Sequence, residues 1–561
     1  MIRRHLPPLG EPQLFLFLAL LIGVFSGLAV VCFRIAIEAT RLWLLGSSLT
    51  PSPWRLALVL PAVGLVVAAL VELVFPVVRG SGVNQTKAAV YIYDGFISLR
   101  TVVGKFLTSA LAIGSGQSLG PEDPSLQIGA GIASACGRYS GLSRDALRLI
   151  APVGAAAGLA AAFNSPITAV LFVIEEVIGT WSAMALGAIV LAAVSSVVVQ
   201  HWFLGDQPLF RVPEYHLEHS SELAVYALVG IAGGIAALVF VKLALALRPR
   251  LRAWPRWTRF VQPALAGAAI AGIAVYFPQV TGAGYEHIDM AMHAGYAWQV
   301  LAALAVLKIV ATVLSFASGT PGGLFAPTLF IGAMLGSAIC GVARAAVPSF
   351  EGATGAYALI GMGTMFAGIM RAPITSVFMI VEVSGNYSIA LPLMVSNTIA
   401  YLVSRTYQKH AIFDVLAHQE GLTLPSMEQL REATVRRVED ALQPAGLVLE
   451  RDEPVEQALR RAEAAGVDSP LVQMSPGTWA VVPVAALKAV SDAGQGGLAI
   501  RSVLDLAILI PAVHPDHSLD IALRRLGDHP LLPVVHRAEL ARLVGVVTLA
   551  GILDAYRRST P

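Results

Sequence analysis

The stretch Gly114-Ser-Gly-Gln-Ser-Leu-Gly-Pro-Glu122-Asp123-Pro124 sets two carboxylates inside an otherwise apolar sequence. Phe106 to Pro121 carry no Asp, Glu, Lys or Arg, and a carboxylate at bilayer depth costs about 3 kcal/mol on insertion scales unless function holds it there. The surrounding Gly and Pro break a helix. Inside a membrane, a broken helix is tolerated only where its backbone lines a cavity or is covered by protein. Pro124 suits the first turn of a new helix, which puts Glu122 at a helix N-terminus, where free N–H groups and the macrodipole favour negative charge. One reading of the stretch is an anion site; the other is a carboxylate that only caps its helix.

The composition agrees with a membrane setting. The chain has 561 residues, 56% hydrophobic and 13% charged, with mean hydropathy +0.71, which is the mark of a polytopic membrane protein. Residues 431–561 hold 30 of the 74 Asp, Glu, Lys and Arg, so the tail reads as a soluble domain. A net charge of +2 without a basic, aromatic-interleaved patch gives no reason to expect nucleic acid. Cys32, Cys136 and Cys340 lack metal-ligand spacing and read as packing residues. His216 and His219, in Glu214–Glu222, read as part of a solvated outer loop rather than a metal site. Neither metal nor cofactor is expected, and nothing suggests an enzyme.

Leu14 to Val31 reads as a retained first helix after Arg3 and Arg4. Further apolar segments are predicted near 54–75, 99–119, 149–176, 181–205, 222–247, 260–278, 298–317, 329–347, 355–370 and 372–404. The basic stretch Arg248–Arg259 reads as a cytoplasmic loop, on the same side as the N-terminus.

An internal repeat organises these segments. Pro124-Ser-Leu-Gln-Ile-Gly-Ala130 matches Pro327-Thr-Leu-Phe-Ile-Gly-Ala333 at five of seven positions, 203 residues apart. Ser165-Pro-Ile-Thr-Ala-Val170 matches Ala372-Pro-Ile-Thr-Ser-Val377 at an offset of 207, and Gly154 with Gly361 and Glu175 with Glu382 keep that register. Halves of this kind are commonly inverted in transporters, so that broken helices meet near the midplane. Here the meeting ends are Gly120–Pro124 and Gly322–Pro327. Glu122 aligns with Phe325, so one half alone supplies the charge.

Gly80-Ser-Gly82, Gly120-Pro-Glu-Asp-Pro124, Gly323-Leu-Phe-Ala-Pro327 and Gly154–Asn164 leading to Glu175-Glu176 together resemble the CLC family of chloride channels and proton-coupled chloride exchangers, over about residues 15–420. The resemblance implies an all-α polytopic domain of two inverted repeats with re-entrant helices, assembled in membrane lipid as a homodimer. It implies that Ser81 and the N–H groups of Leu324 and Phe325 hold the central anion. Glu122 looks like the gating glutamate and Glu176 like the internal proton glutamate, although Glu175 could take that role instead. Lys105 matches a basic position that biases the pore toward anions; its alternative is a charge snorkelling to an interface.

Three departures stand out. Pro121 replaces the family's basic residue, Asp123 replaces a glycine, and Phe413 replaces the tyrosine that lends its hydroxyl to the anion, so the central site is expected to bind weakly. The tail resembles a pair of α/β CBS modules, 436–494 and 501–558, joined by a linker 421–435 to a transport domain 1–420. Such pairs often bind adenine nucleotides. Here Gly551 and Pro483 stand where contacts are usual, so a dimerising or gating platform is preferred. The function expected is chloride/proton antiport. A passive pH-gated chloride channel of the same fold and a membrane-anchored CBS regulatory protein are the alternatives.

Overall fold

A computed structural model describes residues 10–48, 50–179, 183–210, 222–347, 350, 352–426, 436–475, 478–502 and 508–557. His216, His219, Arg3 and Arg4 lie outside these. Two compact units divide at Arg431 and Glu432.

The first unit is helical. Its first half runs α1 (Glu11–Leu44), α2 (Pro53–Ala69), α3 (Gly82–Tyr91), α4 (Leu99–Gly114), α5 (Glu122–Ser140), α6 (Arg144–Phe163), α7 (Pro166–Phe172) and α8 (Ala183–Leu204). Its second half runs α9 (Glu222–Arg252), α10 (Gln262–Ala274), α11 (Tyr285–Met292), α12 (Trp298–Ala317), α13 (Phe325–Ala346), α14 (Thr354–Met370), α15 (Pro373–Ser384) and α16 (Ala390–Tyr407). α17 (Ile412–Gln419) follows. The halves correspond helix for helix, and eight helices among the described residues are long and apolar enough to cross a membrane. α3, α7 and α11 are much shorter, as broken helices must be.

Glycine sets the closest packing in both halves. A Cβ on Gly129 would collide with the Gly154 carbonyl, and one on Gly332 with the Gly361 carbonyl. α5 therefore meets α6, and α13 meets α14, backbone to backbone, as small residues permit in membranes.

Several expectations need correction. The segment 149–176 is two helices, because Asn164 turns left-handed (φ 56°) and Pro166 opens the next helix. Beyond Phe172 the chain widens into a π-helical turn, Val173–Ile178, which carries both Glu175 and Glu176. The basic stretch is not wholly loop: α9 continues through Pro249 to Arg252, and Arg248 is 2% exposed. Arg248 is buried because it lies over the Phe316 ring, 5.3 Å from its centroid, and bonds Glu420 at 2.5 Å. Cys32 is exposed rather than packed, on the outer side of α1.

The second unit is α/β. Its strands are β1 (Val448–Leu449), β2 (Leu471–Ser475), β3 (Thr478–Val481), β4 (Ile508–Ile510), β5 (Leu532–Val535) and β6 (Leu543–Val547). The first four form one sheet in that order, and β5 pairs antiparallel with β6. Helices α18 (Val455–Ala465), α19 (Val484–Val490), α20 (Leu519–Leu526) and α21 (Leu549–Arg557) accompany them. The two halves of this unit trade ends: β4 pairs with β3, while Gln443 bridges Val546 and Arg437 bridges Ser518. The boundaries read from sequence, 436–494 and 501–558, thus cut across the packing, since Val438 and Ala441 share a core with Val534 and Val547.

Candidate functional site

Gly120 and Gly323 bring the two halves together. Each donates its N–H to the other's carbonyl, at 2.8 and 2.7 Å, in a two-residue antiparallel bridge. Side chains are excluded there: a Cβ on Gly323 would lie 2.8 Å from the Asp123 Cβ, and one on Gly120 would lie 2.9 Å from the Ala326 Cβ. α5 starts at Glu122 and α13 at Phe325, so two helix N-termini converge. Their first-turn N–H groups have no partners inside the helices, which makes the junction electropositive without a full charge.

Glu122 is completely buried at this junction. Its Oε2 accepts from the Ala326 N–H at 3.3 Å, and its Oε1 accepts a short hydrogen bond from the Tyr285 hydroxyl. The carboxylate thus sits on donors of the opposite half, where an anion would otherwise be solvated. Tyr285 opens α11 and also lines a cavity of about 560 Å3, together with Arg34, Pro121, Gly284, Glu286 and His287. Arg34 and Arg41 are the arginines lining this cavity, and Arg41 is paired with Glu38 at 2.7 Å.

Asp123 faces the other way. Ser81 donates its hydroxyl to Asp123 Oδ2 at 3.1 Å, and the Val83 N–H donates to Oδ1 at 3.0 Å. The donor expected for the central anion is therefore engaged by the carboxylate that replaces the glycine. Leu324 caps α13 and Phe325 is its first residue. The Phe325 ring sits in an aromatic cluster, 5.1 Å from Phe172, 5.5 Å from Phe366 and 6.5 Å from Phe413. Phe413 is buried in that cluster, and its carbonyl accepts from Asn84 at 3.0 Å.

Lys105 does not snorkel. It is fully buried and donates to the Val78 and Gly80 carbonyls at 3.2 and 2.8 Å, clamping the loop that carries Ser81. Lys308, 203 residues on, donates likewise to the Val280 and Gly282 carbonyls at 2.9 and 2.7 Å. Gly282-Ala-Gly284 is thus the second-half counterpart of Gly80-Ser-Gly82, and it delivers Tyr285 to Glu122. The equivalent loops open on different cavities. Thr281 and Gly114 line the one beside Glu122, whereas their counterparts Arg79 and Ala317 line another, as inversion of the halves requires.

The adjacent glutamates separate cleanly. Glu175 accepts from the Thr375 N–H at 2.9 Å and from its hydroxyl, capping α15. Glu382 reciprocates at α7, accepting from the N–H groups of Ile167 and Thr168 at 2.9 and 2.7 Å. Each half caps the other's broken helix, so Glu175 has a structural place. Glu176 is 2% exposed and pairs with Lys87 Nζ at 3.0 Å. Lys87 also meets Asp414 at 3.4 Å, and Asp414 keeps 16% of its side-chain surface. The single charge between Gly82 and Asp94 was the available signal for Lys87.

Broken helices of two inverted halves, meeting around two buried carboxylates and one hydroxyl loop, define a class of membrane proteins with an anion path between repeats. Residues 63–405 match the voltage gated chloride channel family model, and the chain belongs to that family. It is 30% identical over 417 residues to the H(+)/Cl(-) exchange transporter ClcA of Vibrio campbellii, covering 72% of this chain and 89% of that one. A ClcB-like protein of Ralstonia nicotianae is 31% identical over 403 residues, with coverage of 69% and 93%. Among solved structures, a slow cyanobacterial Cl-/H+ antiporter aligns with TM-score 0.67 and 22% identity over 72% of this chain and 97% of that one. A eukaryotic CLC transporter aligns with TM-score 0.62 and 19% identity over 95% of this chain and 97% of that one, so the fold likeness reaches into the tail.

Proposed function

We propose that the chain is a secondary-active antiporter that exchanges chloride for protons. The observation that carries this is the buried Glu122 carboxylate, seated on the Ala326 N–H and the Tyr285 hydroxyl at the meeting of two helix N-termini. A carboxylate there competes with chloride for the same donors. Protonation weakens its hold, frees the seat for the anion and couples the two ions.

The second proton group is Glu176. With Lys87 and Asp414 it forms a trio of two carboxylates and one ammonium, Glu176 and Lys87 buried and Asp414 partly exposed. When Glu176 takes up a proton, Lys87 keeps Asp414 as its partner and the trio becomes neutral. A passive pore has no use for such a group, which favours exchange over a channel. Ser81, Leu324 and Phe325 line the anion seat in this reading, Lys105 holds its loop, and Pro121, Asp123 and Phe413 tune it.

The reading further includes a homodimer in the inner membrane of a bacterium, with the N-terminus and tail in the cytoplasm, supported by the basic stretch Arg248–Arg259. The tail acts as a dimerising or gating platform of CBS type without a nucleotide. Purified protein in liposomes should move protons against a chloride gradient in fixed proportion to chloride. Chloride flux with no accompanying protons would return the passive channel.

A further inference from the structure

Beside Gly80 of the Ser81 loop, four arginines from three separate parts of the chain surround one small void. Arg79 comes from the residue before Gly80, Arg248 and Arg252 from the last turns of α9, and Arg259 from the turn before α10; Ser318 and Gly319 complete the wall. Two carboxylates face them: Glu72 pairs with Arg79 at 2.5 Å, and Glu420 pairs with Arg248 at 2.5 Å and lies 3.9 Å from Arg252. Four guanidinium groups against two carboxylates leave the pocket two charges positive.

The donors are not used up. Arg248 is 2% exposed, yet its Nη1 has no hydrogen-bond partner, and the Nε groups of Arg79 and Arg259 are likewise buried and unpartnered. Buried cationic donors without partners are costly, because each has lost water without replacement. Their arrangement around one void points to an anion that satisfies them together. The void admits about 10 Å3 for the centre of a water-sized sphere, room for one water or, with slight yielding of the guanidinium groups, one monatomic ion. A phosphate or sulfate does not fit without rebuilding the wall.

The place is also informative. Arg79 leads directly into Gly80-Ser-Gly82, and Ser318–Gly319 leads into Gly322–Phe325, so the void touches the approaches to both loops of the anion junction. It is the counterpart, on the inverted half, of the cavity beside Glu122. We propose that this arginine-walled void is a binding site for one small monatomic anion, chloride where the chain works as an antiporter, separate from the seat formed by the two helix N-termini. The chloride assignment rests on the antiporter reading; the anion site does not.

Crystals of the full-length protein grown in bromide test it. An anomalous peak is expected within hydrogen-bonding reach of Arg248 and Arg79, and Arg259→Gln, at a half-buried position, should remove it while any peak at the Glu122 junction persists. In liposomes, Arg259→Gln should raise the half-saturating chloride at that face by about tenfold, the loss of one charge-assisted bond. Arg252→Gln serves as the second variant should Arg259→Gln fail to fold. Bromide at the junction but none among the arginines, with half-saturation unmoved in both variants, would overturn the site. A peak there in a protein that moves no chloride would keep the anion site and overturn the antiporter reading.

Discussion

The Tyr285 hydroxyl donates to Glu122 Oε1 across 163 residues of sequence, joining the two repeats at a buried carboxylate of their junction. In the proposed exchange cycle this bond is the latch that holds the carboxylate on the anion's seat.

Tyr285→Phe should loosen this latch. A hydrogen bond to a charged group contributes about 1.5–3 kcal/mol, so the balance between seated and released carboxylate should move by roughly ten- to a hundredfold. Chloride efflux from liposomes is expected to rise at neutral pH and to lose much of its activation by acid. An unchanged pH profile in a folded variant would remove Tyr285 from the gate.

The Lys87 trio yields a second expectation. Lys87→Met leaves Glu176 buried without its cation, and breaking such a pair costs about 3–5 kcal/mol, so the variant should melt well below the wild type. Asp414→Asn spares the Lys87–Glu176 pair but takes away the partner that Lys87 needs when Glu176 is protonated. Proton flux should fall relative to chloride flux; an unaltered ratio would separate Asp414 from proton transfer.

Phe413→Tyr adds a hydroxyl beside Phe325 at a junction where Ser81 is already committed to Asp123. Chloride binding should tighten by about 0.5–1.5 kcal/mol, the contribution of one neutral hydrogen bond. Calorimetry on the purified pair reads this directly, and no gain in a structurally unchanged variant would count against Phe413 facing the anion.

The tail should not respond to ATP. Pro483 caps α19 where a threonine is usual, and the Thr548 hydroxyl already accepts from the Gly551 N–H at 3.1 Å and meets Gln443 at 3.2 Å. A ligand that binds only the folded state raises the melting temperature by mass action. A concentration-dependent rise with millimolar ATP would show a nucleotide site.

Much of the membrane unit was legible because it is written in local chemistry. Glycine and proline around Glu122 mark a broken helix, and a repeat needs no structure to be seen. What stayed hidden are partnerships across long separations. Nothing near Glu175 says that it caps Thr375, and nothing near Arg248 says that Phe316 and Glu420 bury it. Tyr285 and Lys308 were within reach: carrying the 203-residue offset to Lys105 finds Lys308, and an offset one residue shorter carries the loop it clamps to Gly282-Ala-Gly284 and the tyrosine after it. The exchanged ends of the tail were not, since β4 is decided by pairing with β3 rather than by its own sequence.

The central claim is that Glu122 is the group through which chloride and protons are coupled. Glu122→Gln keeps the shape and removes the titration, and the measurement is chloride and proton flux together from liposomes holding that variant. Chloride should flow with little dependence on pH while proton movement vanishes, whereas Glu176→Gln should lose proton movement but keep gating by pH. Stoichiometric proton pumping by Glu122→Gln would contradict the account and turn attention to Asp123.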